Sequence, residues 1–400
     1  MITESVDFDA TSQDVRDDPF PIYAQMLAAG PVHRSEAMGS VVVVSHAVAR
    51  KVLTSQDFSA RHTVQQLGAG AGADMGLFGR VSSLPTLDAP AHTRLRRLVS
   101  TAFTPASVNG SRSLAERVVA AALDRAEERG RLDIVADIAA PLPSQVIAAL
   151  LGIQQEDWPR FSEWSDALFL AFKGAAATPE ELLAAGSGAR NLEDYLRAEI
   201  HRRPPDRDED LIDRIRHASD GGDALTEDEI VTTCMILLVG GNETTTGLIA
   251  NGFSGLVDDS AAYAALRADP ELVPAAVEEF LRLWGPVHLI ARKALRDVEL
   301  GGIPVRAGEP VLLVTGAANR DPEIFDEPDR MRFDRGRNDH MAFGRGAHFC
   351  LGGPLARLEA QVAFRTILER LPRLELVDDC RPAWIGPLTA FRVDEVSVHV

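Results

Sequence analysis

The feature that most limits the possible folds is a very long helical pattern in the middle of the chain. Thr226 and Glu229 form the S/T-x-x-E pattern of a capping box, and the helical pattern continues to about Val257. A helix of roughly 30 residues is about 45 Å long at 1.5 Å per residue. Helices of globular proteins are usually much shorter, so we expect this one to cross the whole domain.

The interior of this helix contains GGNETTT, residues 240–246, which is poorly suited to a helix. Two interior glycines each cost about 1 kcal/mol relative to alanine, and asparagine and threonine are also weak helix formers. One interpretation is a kink where two helices cross. The other is that Gly240 and Gly241 let a large flat group approach the backbone. Glu243 and Thr244 would then present a carboxylate and a hydroxyl, a pair suited to proton transfer.

Helical spacing of apolar residues dominates the rest of the chain, and β patterns are a minority. The β patterns fall at about 31–45, at about 296–316 and near the C-terminus, and two glycines between Leu300 and Ile303 indicate a tight hairpin. No Pro- or Gly-rich linker separates independent halves. The sequence therefore predicts a mainly α fold with a minor β part, built as one domain over residues 1–400.

Charge, cysteine content and hydropathy restrict the partners and the compartment. The formal net charge of −18 argues against nucleic acid as a partner. Three cysteines cannot all pair in disulfides, which indicates a reducing, cytoplasmic setting. The acidic N-terminus lacks the basic and apolar regions of a signal peptide, and the longest apolar run is too short to span a bilayer. We therefore expect a cytoplasmic protein without a membrane anchor.

A glycine-rich loop, FGRGAHFCLGG at residues 343–353, contains Cys350 just before a helical pattern. At that position the helix dipole and the free N–H groups stabilise a thiolate. Glycines let such a loop fold closely around a neighbouring group. Cys234, in TTCMILL, has neither feature and is predicted to be a small core residue.

Three kinds of site could use the Cys350 thiolate. Structural zinc needs several Cys or His ligands, and no C-x-x-C partner is present. A cysteine hydrolase needs a positioned base, for which His348 is the candidate. A haem iron needs one protein thiolate and cations for its two propionates. Only the haem interpretation also uses the glycines, the cations and the weak segment of the long helix.

Two charged sets accompany the cysteine loop. In EEFLR, Glu279 and Arg282 lie three apart and share a helix face. An exposed pair would contribute under about 1 kcal/mol, whereas removing one partner of a buried pair costs about 3–5 kcal/mol. The second set is cationic and could together clamp an anionic ligand; its members are His92 and Arg96 in HTRLR, Arg292 after VHLIA, and His348.

These motifs together resemble those of the cytochrome P-450 family of haem-thiolate monooxygenases. FGRGAHFCLG is similar to the F-x-x-G-x-R/H-x-C-x-G ligand loop, with His348 where many members have Arg. GGNETT resembles the A/G-G-x-D/E-T motif, EEFLR contains an E-x-x-R motif, and HTRLR resembles H-x-x-x-R. The motifs occur in the family's order from about Asp88 to Arg357, and the absence of an anchor resembles the soluble bacterial branch.

The resemblance extends to the meander that precedes the ligand loop, through ANRDPEIF and PDRMRFDR. It implies that Arg330 is the third member of a Glu–Arg–Arg network with Glu279 and Arg282. It also implies that this network serves folding rather than turnover.

The resemblance implies a haem b cofactor (iron protoporphyrin IX), with Cys350 as the protein's ligand to the iron. Glu243 and Thr244 are implied as catalytic residues that deliver protons during O₂ activation. The other cofactor contacts that it implies are His92, Arg96, Gly240, Gly241, Arg292, Phe343, His348 and Gly352.

The partners follow from the same resemblance and from local charge. RMRFDRGR, residues 330–337, is strongly basic within an acidic chain, and Arg345 and Arg357 lie nearby in the sequence. If this segment lies on the cysteine side of the haem, we expect it to dock an acidic ferredoxin that an NAD(P)H-dependent reductase reduces. The alternative is a solvated loop. We expect a monomer.

The substrate pocket is implied to use residues 61–81, 158–188, 235–240, 287–291 and 388–390, which are rich in Ala, Leu and Val. This composition favours hydroxylation or epoxidation of an apolar or mixed scaffold such as a polyketide, terpenoid or steroid, as in natural-product tailoring. GAGAGADMG, residues 68–76, is interpreted as a lid segment. The alternatives are oxidative coupling, peroxide-driven oxidation, and a haem-binding protein without turnover.

Overall fold

A computed structural model describes residues 6–61, 75–171, 177–377 and 381–400. Its α-helices are Gln13–Asp17, Phe20–Ala29, His46–Thr54, Gly76–Arg80, Ala91–Ala102, Pro105–Gly110, Arg112–Arg129, Pro141–Leu150, Trp158–Phe169, Pro179–Arg202, Leu211–His217, Glu227–Asp258, Ser260–Ala268, Val273–Trp284, Thr315–Ala318 and Gly353–Arg370. Its strands are Val32–Ser35, Ser40–Val43, Phe58–Ser59, Arg131–Asp133, Ser219–Asp220, Asp223–Ala224, Leu289–Ala294, Val298–Leu300, Ile303–Val305, Pro310–Val314, Trp384–Ile385, Arg392–Val393 and Ser397–His399. The mainly α fold with a minor β part is confirmed.

The long helix predicted from the sequence is present as Glu227–Asp258, hereafter the central helix. Its capping box is formed: the Glu229 N–H donates to Thr226 Oγ1 at 3.3 Å, and the Thr226 N–H donates to Glu229 Oε2 at 2.9 Å. The helix is continuous through residues 240–246, so the weak helix formers do not end it. The capping box and the packing of both halves outweigh the low local propensity.

The central helix belongs to two hydrophobic cores. Its N-terminal half, with Cys234 fully buried as predicted, packs with the helices Trp158–Phe169 and Pro179–Arg202. Its C-terminal half packs with Val273–Trp284 and Gly353–Arg370. The GGNETTT segment therefore lies between the two cores, where the helix is not committed to dense apolar packing on all sides.

Close helix packing in the second core depends on a glycine. A Cβ atom on Gly252 would lie 2.7 Å from Phe364 Cζ and 2.9 Å from Phe280 Cδ2. The Phe364 ring stacks on Phe253 with centroids 4.2 Å apart. Glycine at this position thus lets the helix Gly353–Arg370, which follows the cysteine loop, approach the central helix closely.

The main sheet has five strands in the order Val32–Ser35, Ser40–Val43, Pro310–Val314, Leu289–Ala294 and Phe58–Ser59. Only Pro310–Val314 and Ser40–Val43 pair in parallel. The sequence predicts this β region only from about 296, and the strand Leu289–Ala294 precedes it, because LIARKA alternates poorly between apolar and polar residues. This strand carries Arg292, opposite Val311.

The hairpin predicted around Gly301 is formed by Val298–Leu300 and Ile303–Val305. Gly301 and Gly302 have φ of +56° and +83°, which suits a tight turn of the primed type.

Residues 68–74 of the predicted lid lie outside the described residues, and a short helix, Gly76–Arg80, follows them. No helix in the described part of the chain has the length and hydropathy needed to cross a bilayer.

The glycine contact at the second core gives a stability prediction. Replacing Gly252 with valine should lower the free energy of unfolding by about 1–3 kcal/mol or more, because the new methyl groups overlap two aromatic rings. Gly110→Val is the matched control, since a Cβ there meets no atom within 4 Å, and its effect should stay within about 0.5 kcal/mol. Urea unfolding curves would measure both, and equal losses would contradict the packing argument.

Candidate functional site

The cysteine loop is closed by its own backbone. The Cys350 N–H donates to the Phe343 carbonyl at 2.9 Å, and the Gly344 N–H donates to the Met341 carbonyl at 2.8 Å. Gly344 and Gly346 have φ near +68° and +69°, a region that favours glycine. A Cβ on Gly346 would lie 2.7 Å from the Leu53 carbonyl oxygen. The loop therefore packs against the end of the helix His46–Thr54.

The Cys350 thiol lies at the N-terminus of the helix Gly353–Arg370, as predicted. Its sulfur accepts hydrogen bonds from the backbone N–H groups of Gly352 and Gly353. Burial raises the pKa of the Cys350 thiol, and these N–H groups together with Arg96 and Arg357 oppose that rise only in part. The thiolate therefore needs further positive charge, which a metal cation bound to the sulfur would supply.

Four cationic or potentially cationic side chains converge beside this thiol, as the sequence predicted. The His92 and His348 rings stack with centroids 4.1 Å apart. Burial, reinforced by His92 and Arg292, lowers the pKa of His348 to about 4, and burial also lowers the pKa of His92. Burial lowers the pKa of Arg96 and brings that of Arg292 to about 10. Like charges thus crowd one region, and the Asp88 carboxylate opposes only part of the fall in pKa at His92, His348 and Arg292.

In the part of the chain that the structure describes, the polar atoms of this cationic set have few partners. Among the described residues neither Arg96 nor Arg292 forms an ion pair, and Arg292 donates only to the adjacent Ala291 carbonyl, at 2.8 Å. His92 Nε2 is buried without a hydrogen-bond partner. Buried donors and uncompensated charge of this kind fit a dianionic ligand. A haem whose iron bound Cys350 would satisfy the thiolate, and its two propionates would satisfy the cations.

The central helix presents the next part of the site. Gly240 is exposed, and a Cβ there would meet no atom within 4 Å, so open space adjoins the backbone at this point. Thr244 lies one turn later on the same face, and its hydroxyl donates to the Gly240 carbonyl at 2.5 Å. A Cβ on Gly241 would meet only Ile147, at 3.9 Å. The geometry fits the interpretation that a flat group approaches the helix here.

Glu243 has a partner that the sequence pattern does not predict. Its Oε2 lies 3.3 Å from Nε of Arg392, on a C-terminal strand. The neighbouring Asn242 donates to Asp166 Oδ1 at 3.1 Å. Arg392 stands in the AFRVD stretch near the C-terminus, but nothing in the sequence places that stretch beside residue 243. A separation of 149 positions puts the pair beyond local pattern rules.

The predicted Glu279–Arg282 pair is fully buried and is part of a larger network. Burial would raise the pKa of Glu279, but hydrogen bonds and charges from Arg282 and Arg335 lower it. Arg282 donates to Glu279 at 2.8 and 2.7 Å, and Arg335 donates at 2.8 Å. The Arg332 backbone N–H and the Asn338 side-chain amide donate at 2.9 and 3.0 Å. Every donor group around this carboxylate comes from one helix or from the meander.

The prediction that Arg330 is the third member of this network is wrong. The chain turns at Glu327, whose φ is +45°, and the Arg330 side chain pairs with Glu327 and is 71% exposed. Arg330 contributes only its carbonyl, which accepts from Arg282 at 3.1 Å and from Arg335 at 2.9 Å. Arg335 takes the place assigned to Arg330, because the meander folds back over the buried carboxylate.

The adjacent residue, Glu278, binds residues on both sides of the cysteine loop, a role that the sequence pattern does not predict. Arg357 donates to it at 2.6 and 2.8 Å, and His340 lies at 3.0 Å. Burial would raise the pKa of Glu278, but these hydrogen bonds lower it to about 2. The Arg357 guanidinium lies 4.5 Å above the Phe343 ring. One carboxylate thus links the segment before the loop to the helix after it.

Most arginines of the basic run 330–337 form ion pairs within the protein. Arg330 and Arg332 pair with acidic residues of the meander, and Arg335 pairs with Glu279. Arg337 remains 82% exposed, 3.5 Å from Asp339. Arg50 and Arg345 also contact Asp339. We call these four residues the Asp339 patch: Arg50, Arg337, Asp339 and Arg345.

Within the described ranges no group of three or more His, Cys, Asp or Glu side chains is arranged to hold a metal ion. A multi-ligand zinc site is therefore not supported there. The thiol and cation geometry instead matches a cofactor with one protein ligand.

Comparison with known proteins agrees with this geometry. A protein-family model described as Cytochrome P450 matches residues 29–379. The chain is 38% identical over 380 residues to the cytochrome P450 monooxygenase PikC of Streptomyces venezuelae, covering 93% of this chain and 88% of that protein. It is 35% identical over 321 residues to the 6-deoxyerythronolide B hydroxylase of Saccharopolyspora erythraea, covering 80% of this chain and 78% of that protein.

The fold is similar to solved structures as well. The structure of cytochrome P450 CYP109Q5 from Chondromyces apiculatus superposes with a TM-score of 0.90 at 31% sequence identity. The alignment covers 100% of this chain and 98% of that one.

The corrected network gives a stability prediction. Arg335→Met should lower the free energy of unfolding by about 3–5 kcal/mol, because it removes one partner of a buried ion network. Arg330→Met is the matched control and should cost under about 1 kcal/mol, since its ion pair is exposed. Chemical unfolding followed by tryptophan fluorescence would measure both. A larger loss in Arg330→Met would restore the assignment made from the sequence.

Proposed function

The chain belongs to the cytochrome P450 family and is a haem-thiolate monooxygenase, and from this premise we propose its substrate class, electron donor and site residues. It inserts one atom of O₂ into an apolar or mixed small-molecule scaffold, by hydroxylation or epoxidation, with electrons from a ferredoxin. The observation that carries the proposal is the Cys350 thiol and its unpaired cations together with an intact Glu243–Thr244 pair.

The haem contacts are proposed from the unsatisfied groups of the site. Cys350 would ligate the iron, while Arg96, Arg292, His92 and His348 would hold the propionates. Haem bound in this way supplies the binding and reductive activation of O₂. The Gly352 and Gly353 N–H groups donate to the sulfur and would moderate its electron donation to a bound iron.

The central helix is proposed to supply protons. The Thr244 hydroxyl donates to the Gly240 carbonyl beside open space, so it needs only a rotation about χ1 to donate into that space instead. Glu243 is adjacent and can return a proton to the hydroxyl oxygen of Thr244. The ion pair with Arg392 holds the Glu243 carboxylate in place beside Thr244.

The substrate class is supported by the pocket walls and by the relatives. Val287, Leu289 and Ala291 are half-buried. The C-terminal segment with buried Leu388 and Ala390 runs beside them, where the His288 N–H donates to the Leu388 carbonyl at 2.7 Å. These side chains are apolar, which suits a hydrophobic scaffold. One relative carries a macrolactone, 6-deoxyerythronolide B, in its name. We propose natural-product tailoring of a polyketide, terpenoid or steroid.

The electron donor is proposed to bind at the Asp339 patch. Three guanidinium groups share one carboxylate there, so positive charge is left over in a chain of net charge −18. The helix that carries Arg50 ends against Gly346 of the cysteine loop, and exposed Phe349 precedes Cys350. A basic patch around an exposed aromatic residue suits an acidic ferredoxin. An NAD(P)H-dependent reductase would reduce the ferredoxin.

We further propose that the protein is a monomer. We also propose a cytoplasmic location, because Cys234 and Cys350 are both unpaired thiols. The single-domain organisation stays a prediction.

Replacing Thr244 with alanine should leave NADPH consumption while product per NADPH falls at least about tenfold, because proton delivery by a positioned group contributes about 10²–10⁴-fold. The substrate would be the compound, from a panel of macrolactones, steroids and terpenoids, that gives a substrate-binding difference spectrum. Thr244→Ser keeps the hydroxyl and should restore most of the yield. Normal coupling in Thr244→Ala would remove the proton-delivery role and favour another use of the site.

Reversing charge at the patch should impair electron delivery. Arg337→Glu combined with Arg50→Glu should slow ferredoxin-driven turnover and flatten its dependence on ionic strength, since steered association weakens as salt rises. Arg373→Glu is the control: Arg373 follows the far end of the helix Gly353–Arg370, about 27 Å along at 1.5 Å per residue, and it is also exposed. Equal slowing in the control would show a general charge effect rather than docking.

A further inference from the structure

A polar cluster with two carboxylates and one guanidinium lies behind the proposed proton-delivering residues. We call it the Asp166 cluster: Asp166, Asn242, Glu243 and Arg392. Asp166 comes from the helix Trp158–Phe169, Asn242 and Glu243 from the central helix, and Arg392 from the strand Arg392–Val393. The cluster joins three elements that are far apart in sequence.

The cluster is not balanced in charge. Arg392 lies 3.3 Å from Glu243, whereas Asp166 forms no ion pair among the residues that the structure describes. Asp166 is held only by the Asn242 amide, which donates to its Oδ1 at 3.1 Å. The other amide atom, Asn242 Oδ1, is buried without a hydrogen-bond partner. An orphaned acceptor beside an unpaired carboxylate marks a place for a water molecule or a proton donor.

Asp166 is also placed to exchange protons with water. Asp166 is exposed, yet neighbouring protein atoms partly desolvate its carboxyl group. Burial and the negative charge of Glu243 raise the pKa of Asp166 to about 6, while Arg392 and the Asn242 amide oppose that rise. A carboxyl group that titrates this close to neutrality can both take up and release protons.

The charged groups that act on Asp166 come from the central helix and from the C-terminal strand Arg392–Val393. Glu243 on the central helix raises its pKa, and Arg392 on the C-terminal strand lowers it. In the described chain, the helices Pro141–Leu150 and Pro179–Arg202, which also pack on Trp158–Phe169, contribute no charge that shifts it. The titration of Asp166 is therefore coupled specifically to the residue proposed to supply Thr244.

We propose that Asp166 is the proton-loading group for Glu243. It takes a proton from water on Oδ2, the oxygen that Asn242 does not use, and transfers that proton to the Glu243 carboxylate. Asp166 returns to its ionised form, Glu243 becomes neutral, and no electrons move. Asn242 orients Asp166. The inference rests on the proposed role of Glu243 and Thr244, and Asp166 is a positioning residue because it acts through Glu243.

An infrared titration of the haem-loaded protein tests the coupling without turnover. A carboxyl C=O band with a midpoint near pH 6 should be present in the wild-type protein and absent from Asp166→Asn. The midpoint should fall in Glu243→Gln, which removes the repelling charge, and rise in Arg392→Gln, which removes the attracting one. If no band is lost in Asp166→Asn, or if its midpoint ignores both neighbours, the proposal is overturned.

Turnover then separates a proton-supply role from a structural one. Asp166→Asn should lower product per NADPH by about 3- to 10-fold, less than the 10²–10⁴-fold range of direct proton transfer because water can partly replace it. It should also raise the solvent isotope effect in D₂O, and Asp166→Glu should restore part of the yield. The control is Glu163→Gln, the same acid-to-amide change at an exposed position of the same helix, which should alter neither quantity.

The outcomes distinguish this inference from the proposed function. If Thr244→Ala uncouples turnover but Asp166→Asn behaves like Glu163→Gln, only the role of Asp166 is wrong. If Thr244→Ala remains coupled, the proton path through the central helix is wrong irrespective of Asp166.

Discussion

The structure around the cysteine depends on one buried carboxylate, Glu279. A charge with no access to water is tolerated only when donors surround it, and Glu279 accepts from Arg282, Arg335, Asn338 and the backbone of Arg332. Satisfying this carboxylate fixes the path of the meander. The neighbouring Glu278 then fixes the two ends of the cysteine loop through His340 and Arg357. Two consecutive glutamates on one helix thus fix the position of the cysteine loop, and with it the position of the thiol.

The site that this framework builds is electrostatically incomplete as a protein alone. The thiol carries a raised pKa, two arginines have no acidic partner in the described chain, and two imidazoles stack with depressed pKa values. Each of these would be a defect in a purely structural core. A cofactor with one metal cation and two carboxylates would compensate all of these charges and unpaired groups together. The geometry of the site therefore agrees with the match to the cytochrome P450 family.

Different parts of the central helix have a structural role and a proposed chemical role. Its two halves are fixed in different cores, and the glycines, glutamate and threonine lie at the junction between them. Low helix propensity is tolerated there because packing on both sides holds the helix together. The carboxylates Glu243 and Asp166 sit where that junction meets the helix Trp158–Phe169 and the C-terminal strand. The residues proposed to deliver protons therefore lie where apolar packing constrains the helix least.

The sequence by itself determined the features whose physics is local. The capping box, the glycine hairpin, the thiol before a helix and the Glu279–Arg282 spacing all involve residues within four positions of each other, so side-chain chemistry and helix geometry suffice. Only the tertiary structure decided that Arg335 rather than Arg330 completes the buried network, that Glu278 binds Arg357, and that Arg392 pairs with Glu243. Those partners are 56, 79 and 149 positions apart. The sequence around an arginine in a meander or a C-terminal strand does not show in which direction its side chain points. Only the folded chain determines which guanidinium reaches which carboxylate.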